Sequence, residues 1–235
     1  MIKLLATIAT LLIAIFFFIA VSTFQDKAKI QELEKSPDRG KLKWHSQMAK
    51  AKGEQNVLLR SSLVDYPMPL SLEDALENYH LVVAEPIFSR SYATTDNIKT
   101  WYKFRLLEEL SAPPTNCVDC FNSIDLPQEL LPVQPGEFLS VKGGGEAEVD
   151  GIKITSSDPT FPNFETGKRY LLLVAFDSNK TFAALRTGPW GAFALNSDEK
   201  LEPVNGTLKH QFREQLSEHF QNSLPKLRLS LKTRK

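Results

Sequence analysis

The chain has 235 residues, 42% of them hydrophobic, so it has material for a proper core, and its 28 basic and 28 acidic residues leave no net charge. Residues 71–196 carry 10 Lys/Arg against 17 Asp/Glu, whereas residues 1–70 carry 10 against 6 and residues 197–235 carry 8 against 5. An acidic centre excludes a nucleic-acid grip by that region, because such binding rests on neutralising phosphates.

The first element is apolar. Lys3 is followed by an uncharged run from Leu4 to Phe24, and the polar residues Gln25-Asp26-Lys27 end it. As a helix this run is about 31 Å long, near the thickness of a bilayer's hydrocarbon core. Residues 1–24 are therefore expected to be a signal-anchor or signal peptide that addresses the chain to the membrane through residues 4–24. Lys3 stays on the cytoplasmic side, and the C-terminal bulk lies outside, periplasmic or extracellular. Ala20-Val21-Ser22 supplies the small residues of a cleavage site, so secretion after a cut near Ser22 remains the alternative.

Residues 25–70 read as a polar spacer without a core. Charges dominate, Ser36-Pro37-Asp38-Arg39-Gly40 breaks any helix, and Pro67 and Pro69 lead into the domain in extended form. Residues 71–196 then read as a β domain. Ser71 and Asp74 cap a short helix that ends near Tyr79, and HLVVAEPIF follows as a buried strand ending near Pro86. From Ile98 to Leu107 the pattern alternates, with Tyr102 and Phe104 inward and Trp101 left on the polar face. A strand from Glu137 to Lys142 runs into Gly143-Gly144-Gly145, read as a flexible connection. Asp150-Gly151 then joins the next two strands in a tight hairpin. RYLLLVAF, residues 169–176, is apolar on both faces and so belongs at the centre of a sheet.

The fold class is thus mainly β, a small closed barrel or sandwich of about six to eight short strands. An N-terminal transmembrane or signal helix precedes it. Residues 197–235 add a packed C-terminal amphipathic helix and a basic tail. In the helix Leu208, Phe212, Leu216, Phe220 and Leu224 recur every four residues, a stripe expected against the outer face of RYLLLVAF. Pro225 is expected to stop it. KLRLSLKTRK would then be a frayed, solubilising tail, with contact to anionic lipid as the other reading.

SLEDALENYHLVVAEPI, TWYKFRLLEEL, GEFLSVKGGG with DGIKI, FETGKRYLLLV and GPWGAFAL together resemble uncharacterised exported bacterial proteins with a small OB-like β-barrel domain. The resemblance covers residues 71–196. It implies an exported β domain, and it carries over no active site.

The chemistry-bearing residues are few. Cys117 and Cys120 are the only cysteines, in a C-x-x-C. Outside the cytoplasm a structural disulfide is their first reading, and thiol–disulfide exchange the second. A metal role lacks a second ligand pair, and Phe121 stands where a haem-attachment motif needs histidine. The four histidines form no catalytic motif. His80 reads as a partly exposed structural residue, His210 and Glu214 as a surface pair, and Glu108-Glu109 as solvated acids. Trp101 and Trp190 are left as a candidate binding surface. No catalytic residue, metal or cofactor is therefore expected. The leading reading is a membrane-tethered, non-enzymatic binding module for an unknown protein, peptide or glycan, with no nucleic acid. An envelope thiol–disulfide protein using Cys117 and Cys120, or a purely structural envelope component, are the alternatives.

Overall fold

The computed structural model describes residues 26–60, 66, 68–113, 126–205 and 210–233. The apolar run of residues 4–24 and the Cys117/Cys120 pair lie outside these. Among the described residues no helix is long and apolar enough to cross a membrane. The protein is mainly β, with ten strands in two sheets among the described residues. They fall into two compact units, taken in turn: the described parts of Met1–Leu59, Ala93–Asn97 and Glu146–Thr155, and those of Arg60–Tyr92, Ile98–Gly145 and Ser156–Lys235.

The smaller unit corrects the spacer reading. Residues 26–34 form helix α1, Leu42–Lys52 form α2 and Asn56–Arg60 form strand β1. Strand β1 joins β5 (Gly145–Val149) and β6 (Ile152–Ser157) in the sheet order β1-β6-β5. A core does exist here: Leu42, Met48, Ala49 and Ala51 are buried. Trp44 Nε1 donates to the Leu33 carbonyl at 2.7 Å, and the buried Ser46 hydroxyl donates to the Val149 carbonyl at 2.8 Å. Local composition hid this because β1 pairs with β6 and Ser46 bonds Val149, 103 residues away. The β5–β6 turn is as expected, with Asp150 and Gly151 both at positive φ (51° and 77°).

The larger unit holds β2 (His80–Ala93), β3 (Ile98–Ser111), β4 (Glu137–Gly143), β7 (Tyr170–Phe176), β8 (Ala183–Ala184), β9 (Ala192–Leu195) and β10 (Leu201–Pro203). Its strand order is β10-β9-β7-β2-β3-β4, with β8 on β7. This is an open order, so among the described residues the expected closed barrel is absent. A single parallel bridge, Leu139 to Phe182, brings β4 against the segment that leads into β8.

Strand β7 is buried along its whole length, as its two apolar faces require. Leu171 and Leu173 pack with Phe212, Leu216, Phe220, Leu224 and Leu227 of the C-terminal helices. Tyr170, Leu172, Val174 and Phe176 face a second, aromatic cluster containing Tyr102, Phe104, Phe138 and Phe164. Ring contacts knit this cluster, with Phe104 stacked on Phe138 at 5.1 Å and Phe138 edge-on to Phe176 at 5.2 Å.

Several expectations change. Strand β2 does not end near Pro86: its pairing with β7 covers His80–Ala84, so Pro86 lies where a missing N–H costs no bond to that neighbour. The helix expected up to Pro225 is two helices, α4 (Gln211–Phe220) and α5 (Leu224–Thr233). Gln221, at φ 54°, turns the chain between them, and Pro225 sits in the first turn of α5, a position proline tolerates. The residues read as a frayed tail are thus helical through Thr233. The short helix α3 (Leu72–Asn78) is capped as expected, with the Ser71 hydroxyl accepting from the Asp74 N–H at 3.1 Å. The triple glycine is not a loose link. A Cβ on Gly145 would lie 2.2 Å from Ser91 Oγ and 2.3 Å from Thr100 Oγ1.

Candidate functional site

A cleft opens where β4 parts from the chain leading into β8. At the bridge, Leu139 N–H donates to the Thr181 carbonyl at 2.8 Å. Two residues back on each side the pairing fails, for local reasons. Glu137 N–H turns to the Gln134 carbonyl, and Lys180 adopts φ 55°, outside the range of regular strand backbone. Asp177 fixes the turn: its N–H donates to the Phe182 carbonyl and its carboxylate accepts from the Phe182 N–H at 2.9 Å. The result is a cleft of about 340 Å³ with residues 133–138 on one wall and 179–181 on the other. Leu106, Phe138 and Phe176 also line it.

Each wall carries one charge, held from behind. Lys180 Nζ donates to Glu109 Oε2 at 2.6 Å and Oε1 at 2.9 Å, and lies over the Phe176 ring at 5.9 Å. Glu109 Oε1 is also 2.7 Å from His80 Nδ1. Burial pushes the Glu109 carboxyl up, but the hydrogen bonds from Lys180 and His80 outweigh it and hold the group below the ordinary carboxylate range. His80 is only 2% exposed, with its ring edge-on to Phe176 at 5.0 Å and, among the described residues, no hydrogen-bond partner at Nε2. On the facing wall the Glu137 carboxylate accepts from Gln134 N–H at 3.0 Å and lies 3.9 Å from Lys103 Nζ.

Two other polar clusters are built into the core. Lys142, 5% exposed, donates to the Gly143 carbonyl and to Asn163 Oδ1, both at 3.1 Å, and lies over the Phe161 ring. Burial drives its pKa down to about 8, against the opposing pull of Asp158. Tyr66 is pushed up to about 12 by burial and by Asp158. Arg213 donates to the carbonyls of Asn205 and Pro189 and sits over the rings of Trp190 and Phe193, with its pKa lowered by burial to about 10. A second cleft of about 310 Å³ lies among Ser71, Glu73, Gln215, His219 and Ser230. Two of its polar groups serve the start of α3, since Gln215 Oε1 accepts from Leu72 N–H.

Of the residues singled out from sequence, His80 meets Glu109 and Trp190 meets His210, but Trp101 and Trp190 form no shared surface. Trp101 is no part of a surface: it is 3% exposed and packs with Leu130 and Leu139, because the segment around Leu126–Val133 covers the face of β3 expected to be open. Trp190 is half-buried under Arg213 and beside the His210 ring, 5.2 Å away. His80 is buried rather than partly exposed. Glu108 and Glu109 are not free acids: adjacent on a strand, they face opposite ways, Glu108 to Arg228 and Glu109 to Lys180 and His80. That alternation was the one available signal, and it named no partner. Among the described residues no three His, Cys, Asp or Glu side chains gather as metal ligands.

Compared with protein-family models and with curated protein sequences, this chain matches none.

Proposed function

We propose that this protein is a non-enzymatic, mainly β binding module carried at the cell envelope by its N-terminal apolar run, and that a protein or peptide segment seats in the cleft between β4 and the Asp177–Phe182 turn. The observation that carries this reading is the interrupted seam. Strand pairing stops at Leu139–Phe182, and beyond it two walls stand apart over an aromatic floor. Clefts of this size, apolar at the base with a few placed polar groups, are what small binding sites look like. The bridge that brings β4 against Phe182 supports the OB-like reading of the domain. The apolar run of residues 4–24 supports the envelope location.

A photo-crosslinking amino acid at Asn179, in the full-length chain in its native membranes, tests the site. A discrete adduct is expected, and Thr181→Trp, which fills the cleft, removes it without changing the thermal midpoint. An adduct that persists with Thr181→Trp sinks the reading. For the location, an intact Met1 in the membrane fraction marks an anchor, and a mature N-terminus at Thr23 marks secretion.

A further inference from the structure

We infer that the cleft takes a short zwitterionic peptide with an apolar side chain, its amino group at Glu137 and its carboxylate at Lys180; this rests on the cleft being the ligand site. The bridge fixes the geometry. Leu139 and Phe182 are partners in a parallel bridge, and two residues back on each side Glu137 and Lys180 line the two walls of the cleft. Had the seam stayed closed, these two would be neighbours and would pair. Instead the carboxylate turns to Gln134 N–H and Lys103, and the ammonium to Glu109. The gap therefore has a fixed negative charge on one wall and a fixed positive charge on the other. A free peptide presents the complementary pair, an ammonium at one end and a carboxylate at the other.

Holding the charges from outside the cleft makes exchange cheap. When Lys180 turns to a ligand carboxylate, Glu109 keeps the contact to His80, so no buried carboxylate is stranded. When Glu137 takes an ammonium, Lys103 retains the Pro132 carbonyl at 3.1 Å. Leu106 and Val133, partly exposed in the lining above the buried rings of Phe138 and Phe176, offer apolar surface suited to a leucine-like side chain. Asn179 and Thr181 stand on the wall where a peptide amide would pass. A purely anionic or cationic ligand would satisfy one wall and be repelled by the other.

Calorimetry on the full-length protein in mild detergent, with leucyl-leucine as probe, tests this. Leucyl-leucine is expected to bind, and N-acetylation or C-terminal amidation each to weaken binding about tenfold, the ordinary worth of a charge-assisted hydrogen bond. In Glu137→Gln, acetylation costs nothing further, and in Lys180→Gln, amidation costs nothing further; that cross-pattern assigns each end to its wall. Equal affinity for all three peptides, or undiminished penalties in the variants, overturns the assignment. If no dipeptide binds at about 10 mM while the Asn179 adduct is still lost with Thr181→Trp, the zwitterion fails and the cleft stands as a site for another ligand. If the adduct never forms, both fall.

Discussion

Lys142 places an ammonium in the core with two carbonyl-type acceptors and one aromatic ring, and burial lowers its pKa from 10.5 to about 8. The unfolded chain therefore holds more protons than the folded one between these values, so stability rises with pH across that window. At neutral pH that net shift corresponds to a cost on the order of 3 kcal/mol. Lys142→Met is expected to flatten the rise between pH 8 and 10 and to leave stability at pH 7 equal or higher, read from urea midpoints at several pH values. Glycines offer a second contrast at this scale. Gly145→Ala drives a methyl into Ser91 and Thr100 at φ 127°, and should lower the thermal midpoint steeply. Gly151→Ala meets no atom of the described residues within 4 Å, so it pays only the left-handed backbone cost, about 1–2 kcal/mol. Both glycines look alike in sequence; what differs is a neighbour from β2 and β3, which no local pattern reports.

Helix α5 is the element most altered by its context. Arg228 spans from Glu108 on β3, at 2.7 Å and 2.9 Å, to Glu199, which also takes Arg169 at 3.2 Å. These groups are partly exposed, so the network is worth less than a buried pair. Arg228→Ala is expected to cost about 1–2 kcal/mol, and Lys226→Ala, on the exposed face, less than about 0.5 kcal/mol; chemical denaturation distinguishes them. A double-mutant cycle with Glu108→Gln should show coupling, and its absence would mean that Leu227 and Leu231 alone dock the helix. The apolar stripe of α4 was legible as a repeat of four. Its end was not, because Pro225 starts a helix as readily as it stops one, and the choice came from the turn at Gln221–Asn222.

In the larger unit, β7 separates a helix-covered cluster, which takes Leu171 and Leu173, from an aromatic one, which takes Tyr170, Leu172, Val174 and Phe176. Leu172→Ala and Leu173→Ala should each cost about 2–5 kcal/mol, although they face opposite clusters. Hydrogen exchange should rank the same architecture. Amides of β7 are expected to exchange last, and those of residues 133–136 and 178–181, on the walls of the cleft, among the first. Early exchange along β7 would show that the two clusters open independently. The cleft itself follows from a competition at one seam. Glu137 N–H and Lys180 are lost to local turns, and the single bridge at Leu139 cannot zip the strands further.

Sequence by itself determined what depends on neighbours along the chain: the β class, the Asp150-Gly151 hairpin, the Ser71 cap, the two-faced burial of residues 170–176 and the inward stripe of Phe212, Leu216 and Phe220. Periodicity and turn chemistry carry those, because each is settled within one or two turns of backbone. Tertiary structure alone decided what depends on distant partners. It buried Trp101 beneath residues 126–133 and gave α2 a core. It tied Glu109 to His80 and Lys180, 29 and 71 residues away, and left β4 and Lys180 apart across the seam. A charge on a strand shows its face in the sequence, but its partner is fixed only when distant segments meet.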